Sequence, residues 1–129
     1  MTDEEIKRII EQTVNATVLQ LKAAGLLQDD TKTAYEKTEV LLYQYPKLRE
    51  VNEPYARRVV QEIDDCLAAV ENEPYADVIR LYYFGGLKNA ACAKTLCCDE
   101  RTCRRNRRKL VEQFAVRLAS EEFIRELLL

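Results

Sequence analysis

Apolar side chains recur every three or four residues along most of this chain, and glycine and proline, three of each in 129 residues, rarely interrupt them. That spacing gathers apolar groups on one face of a 3.6-residue helix, whereas a half-buried strand needs strict alternation. Ile6, Ile10, Val14, Thr17 and Leu21 share such a face. So do Ala56, Val59/Val60, Ile63, Cys66/Leu67 and Val70. An all-α fold is the expectation. The second stripe covers just over two heptads, short of the three or four that mark a coiled coil, so it reads as packing on neighbouring helices, with a homodimer seam as the other reading.

Local signals divide the chain further. A first helix is expected from Asp3 to Ala24, with Asp3, Glu4 and Glu5 at its positive end and Gly25 as its stop. Asp29 or Asp30 is placed to cap a second helix through Tyr45, which Pro46 should end. Asn52-Glu53-Pro54-Tyr55-Ala56 recurs as Asn72-Glu73-Pro74-Tyr75-Ala76, and each copy reads as a helix entrance with asparagine as cap and proline in the first turn. Helix four, from Tyr75 to Tyr83, carries Val78, Ile79, Leu81, Tyr82 and Phe84 on most sides and should be buried. Gly85-Gly86 breaks it, and residues 121–129 read as a last short helix that must dock on its own core or on another subunit.

The formal net charge of −2 hides a segregated distribution. Residues 1–84 hold 10 Lys+Arg against 16 Asp+Glu, residues 85–119 hold 9 against 3, and residues 120–129 hold 1 against 3. The basic part centres on Arg104-Arg105-Asn106-Arg107-Arg108-Lys109. A local positive potential of that kind points to a polyanion whatever the total charge.

The basic run sits in a pattern with its own logic. Lys88 to Leu96 should be a helix whose Ala90, Ala91 and Ala93 allow close approach, with Leu96 plugging the gap to the next. Cys97-Cys98 makes the turn, and Asp99 caps a second helix, residues 100–118. That helix places Cys103, Leu110, Val111, Phe114 and Leu118 on its buried stripe, while Arg101, Arg105, Arg108 and Lys109 project the other way with Arg104 flanking. This is the division a major-groove recognition helix needs. The N-terminal residues Glu100, Arg101, Thr102, Arg104 and Arg105 are expected at base edges. Arg108, Lys109, Lys88 and Lys94 are expected at phosphates, and Arg107 on the buried side, snorkelling or paired with a carboxylate.

Other chemistries fit less well. There is no histidine, no glycine-rich phosphate loop and no well-placed carboxylate pair, so no enzyme activity and no cofactor are expected. Cys92-x4-Cys97-Cys98-x4-Cys103 lacks the spacing of a zinc ribbon or finger. The thiols read as small core hydrophobes, with a redox role the lesser reading. No stretch approaches the roughly 20 apolar residues of a membrane span. The acidic start lacks the order of a signal peptide, so a cytoplasmic, nucleoid-associated protein is expected.

The stretch Tyr75 to Leu110, above all Leu81-Tyr82-Tyr83-Phe84-Gly85-Gly86-Leu87 leading into the capped turn, resembles sigma-70 region 4-type helix-turn-helix domains. Residues 102–111 and 36–45 are similar to phage transcriptional regulators of the ArpU and RinA type. The resemblance implies a prophage-encoded regulator of late phage genes; double-stranded DNA is the expected partner, and contact with RNA polymerase, dimerisation or support of the C-terminal part stay open as roles of the acidic part. Residues 1–72 would be an acidic helical interaction or oligomerisation part, and residues 73–129 the DNA-binding domain with its tail helix. A small-terminase-like subunit that recognises DNA for packaging is the alternative. In two places the chain departs from the pattern. Cys97 stands where glycine is usual and Cys103 where an aliphatic residue is usual, so a shifted or distorted turn is expected.

Overall fold

The computed structural model describes residues 2–6 and 31–128. Residues 3–6 are helical, with the Glu5 N–H bonded to Thr2 Oγ1 at 3.2 Å. The rest of the first expected helix, with Gly25, Asp29 and Asp30, lies outside the described residues. Among those described, all regular structure is helical and none is strand.

Helix α1 spans Ala34–Leu48. Its cap is Thr33, whose Oγ1 accepts the Glu36 N–H at 3.1 Å while Glu36 reaches back to the Thr33 N–H. This capping box meets two otherwise orphaned donors. Pro46 does not end the helix as expected. It forfeits one hydrogen bond in the last turn, but the Arg49 N–H still bonds the Tyr45 carbonyl at 3.0 Å and Leu48 is buried in the core.

Helix α2, Pro54–Ala69, opens with proline at its first position, where no N–H is needed. Its cap residue is Glu53 rather than Asn52, whose side chain accepts instead from Arg57. The second copy of the motif is not a helix entrance. Tyr75 takes a left-handed φ of +64°, which no right-handed helix can absorb, and residues 71–77 form turns. Helical residues resume at 78 and widen into a π-helical turn, Arg80–Phe84, closed by the Gly85 N–H on the Arg80 carbonyl at 2.8 Å. A Cβ on Gly85 would lie 2.9 Å from the Leu81 carbonyl oxygen, so that close approach requires glycine. Gly86 follows at φ +69°.

Three helices complete the fold: α3, Asn89–Thr95, α4, Glu100–Leu118, and α5, Glu121–Leu128. Helix α1 packs most extensively on α4 and next on α2. One core joins Leu41, Leu42, Val59, Ile63, Val78, Ile79, Cys92, Val111, Phe114 and Leu118. Residues from both sides of position 72 therefore share a single interior. The α2 stripe is buried inside its own chain, with Ala56, Val59 and Ile63 at most 1% exposed. Helix α5 likewise docks on its own core through buried Phe123, over which Arg58 stacks at 5.2 Å. No described helix is long and apolar enough to cross a membrane.

Candidate nucleic-acid interface

The connection between α3 and α4 fixes how the basic helix is presented. Leu96 ends α3, Cys97 takes φ +56°, and the Cys98 N–H bonds back to the Ala93 carbonyl at 3.0 Å. The Cys97 N–H reaches the Lys94 carbonyl at 3.3 Å. Those two bonds form a Schellman termination, in which the left-handed residue is ordinarily glycine. The turn is therefore not displaced by cysteine; Cys97 itself takes the left-handed geometry.

Asp99 then starts α4, its Oδ1 accepting the Thr102 N–H at 2.7 Å. The hydrogen bonds from the Thr102 backbone and then its side chain hold the Asp99 carboxyl below its usual range, with help from Arg105 and Arg101. The cap is thus an ionised carboxylate on the positive end of the helix, where the peptide dipoles favour it.

Helix α4 divides as its sequence implies. Cys103, Leu110, Val111, Phe114 and Leu118 are buried, each at most 3% exposed. Full burial of such aliphatic and aromatic side chains is worth roughly 1.5–3 kcal/mol apiece, so this face clamps the helix to the core. Glu100, Arg101, Arg104, Arg105, Arg108 and Lys109 are all exposed. At 100° per residue Arg101, Arg105 and Arg108 form one line, with Arg104 and Lys109 to either side. Thr102 is half-buried and its hydroxyl serves Asp99. Lys88 and Lys94, also exposed, stand at the two ends of α3.

Among the described residues, the carboxylates of the acidic half form no ion pair with this line. The buried carboxylate of that half, Glu62, accepts from Arg58 at 2.8 Å and from Arg117 at 2.9 Å, and Arg117 also meets Asp65 at 3.6 Å. Arg58 further pairs with Glu126 at 2.8 Å. These ion pairs tie α2, the C-terminal end of α4 and α5 together. Among the described residues, no carboxylate lies within ion-pair distance of Arg101, Arg104, Arg105, Lys109, Lys88 or Lys94.

Sequence reasoning overlooked one residue on this surface. Glu112 pairs with Arg108 at 3.4 Å, both well exposed, and the i,i+4 spacing was the available signal. Arg107 faces the protein as expected, but its partners are not carboxylates. It stacks 3.8 Å over the Tyr82 ring and donates to Asn89 Oδ1. Nothing in local spacing reveals those contacts, because the turn at residues 80–86 brings Tyr82 and Asn89 together. Behind them Tyr83 donates to Glu39 at 2.7 Å and meets Tyr43 edge-on at 4.8 Å. Burial first and the Glu39 hydrogen bond second raise the Tyr83 phenol far above its ordinary value.

The five cysteines are free thiols. Cys66, Cys92 and Cys103 are buried, Cys98 is half-buried and Cys97 exposed. Burial pushes the Cys103 thiol up to about 11, with neighbouring Cys92 and Cys98 adding to the shift. Among the described residues no three His, Cys, Asp or Glu side chains converge to hold a metal ion.

Set against protein-family models, curated proteins and solved structures, the chain matches none of them.

Proposed function

We propose that this chain is a sequence-specific double-stranded DNA-binding regulator in which α3 and α4 act as a helix-turn-helix and α4 enters the major groove. One observation carries the reading. Among the described residues, the outward line of α4 keeps its guanidinium groups exposed and beyond ion-pair reach of any carboxylate at Arg101, Arg104 and Arg105, while Glu62 and Asp65 of the acidic half are engaged by Arg58 and Arg117. A solvated structural helix has no need of such segregation, because interspersed acids would relieve the repulsion among like charges.

In this reading Glu100, Arg101, Thr102, Arg104 and Arg105 read base edges. A guanidinium can bond guanine O6 and N7 together, and Glu100 can accept from a cytosine amino group. Arg108, Lys109, Lys88 and Lys94 meet phosphates. The Arg108–Glu112 pair does not oppose this, since an exposed pair of that kind is worth only about 0.3–0.5 kcal/mol and yields to a phosphate. The resemblance to ArpU- and RinA-type regulators makes late phage genes the class of target.

Binding-site selection from a random duplex pool, followed by sequencing, tests the proposal. A recovered motif, several base pairs long, is expected, and its palindromy or lack of it gives the symmetry of the bound form. A pool that stays random through successive rounds would refute sequence-specific recognition.

A further inference from the structure

Arg107 is the cation within the Arg101–Lys109 run that turns toward the protein. From the middle of α4 it reaches both of the elements that precede it. Its guanidinium lies 3.8 Å over the Tyr82 ring in the π-helical turn, and Nη1 donates to Oδ1 of Asn89, the first residue of α3. Its Nε is buried and has no hydrogen-bond partner. An aliphatic side chain would fill the same space without leaving a buried N–H unmet, so volume is not what the guanidinium contributes. What it contributes is direction. A planar group stacked on a ring and bonded at its far end holds one orientation, which a flexible ammonium does not.

We infer that Arg107 is a positioning residue: its stack on Tyr82 and its bond to Asn89 fix the rotation of α4 about its own axis, and so aim Arg101, Arg104 and Arg105 at particular base edges. The inference rests on the DNA-binding reading above. A helix about 10–12 Å across swings its side-chain tips about 2 Å for each 20° of rotation. A shift of that size breaks a hydrogen bond to a base edge. A phosphate contact made by a long, mobile cation tolerates it. Loss of the Arg107 latch therefore erodes discrimination between sequences while leaving sequence-independent affinity in place.

The test uses the full chain, a duplex carrying the selected motif and a scrambled duplex of equal length, with Kd measured at several salt concentrations. Thermal melting of each variant accompanies the titrations. Arg107→Lys keeps the charge and loses the planar fork; Arg107→Gln loses the charge; Asn89→Ala removes the acceptor. For Arg107→Lys the ratio of scrambled to selected Kd should fall about tenfold or more, the worth of one bidentate base contact. Its scrambled-duplex affinity and salt slope should match the unaltered protein. Asn89→Ala should shift the ratio in the same direction, and the double variant should be no worse than the worse single one. Full selectivity in both Arg107 variants overturns the inference. So does an equal loss on both duplexes with a salt slope reduced by about one in Arg107→Gln, which would make Arg107 a phosphate ligand. If the unaltered protein binds neither duplex, it is the DNA-binding reading that fails, and the inference falls with it.

Discussion

Cys97 is an exposed, non-glycine residue at the left-handed position of a Schellman turn, with φ +56°. For an L-residue that conformation costs roughly 1–2 kcal/mol. Glycine adopts it without strain, but its freer unfolded chain takes back about 0.5–1 kcal/mol. The thiol is exposed, so little packing is lost with it. Cys97→Gly should therefore stabilise the fold by about 0.5–1 kcal/mol, which for a chain of this length raises Tm by roughly 2–5 °C. Cys97→Val is the contrasting variant, because a β-branched residue is a true outlier at positive φ and should lower Tm. Thermal melting followed by far-UV circular dichroism reads both, and DNA affinity should be unchanged in the glycine variant because the turn keeps its shape. A glycine variant that melts at or below the parent temperature would refute the strain argument and show that the thiol makes a stabilising contact.

Other expectations follow from the same contacts. Asp99→Ala should lower Tm; in the parent the cap's contribution is present above the ordinary carboxylate pKa of 3.8 and is lost as pH falls through its depressed folded value, so acid melting curves should converge for parent and variant. Burial pushes Cys66 and Cys103 from 9.0 up to about 11, so the unfolded chain ionises first and stability should fall as pH rises from 9 to 11. A Tm that stays constant over that window would contradict it. Arg105→Ala should cost roughly 1–3 kcal/mol on the selected site and relax preference at one base pair, whereas Lys109→Ala should weaken every sequence about equally. An equal loss on random DNA for Arg105, or a site-specific loss for Lys109, would show that the register along the groove is different.

Sequence legibility follows the range of the interactions concerned. The buried stripe of α4, the Asp99 cap and the ends of α3 are set by spacing and local hydrogen bonding, and they stand where the pattern of residues 88–118 puts them. Pro46 misleads because a buried Leu48 two residues later holds the last turn in place despite the missing donor. The two Asn-Glu-Pro-Tyr-Ala copies look alike, yet only the first opens a helix. The second is overruled by a left-handed Tyr75, and its neighbours Ala76, Val78 and Ile79 are buried, a tertiary demand that five residues cannot encode. The exposure of the basic face was legible from periodicity. The engagement of Glu62 and Asp65 by Arg58 and Arg117 was not, because it depends on how α2 and α4 pack together.

The central claim is that the outer line of α4 meets the phosphates and bases of a duplex. Its most direct test is the affinity of the whole chain for a random-sequence duplex as a function of salt. If Arg108, Lys109, Lys88 and Lys94 each displace a counterion from a phosphate, log K should fall linearly with log salt, with a slope of about −3.6 at about −0.9 per contact. An affinity that does not change with salt, or no detectable binding at low salt, would contradict the account.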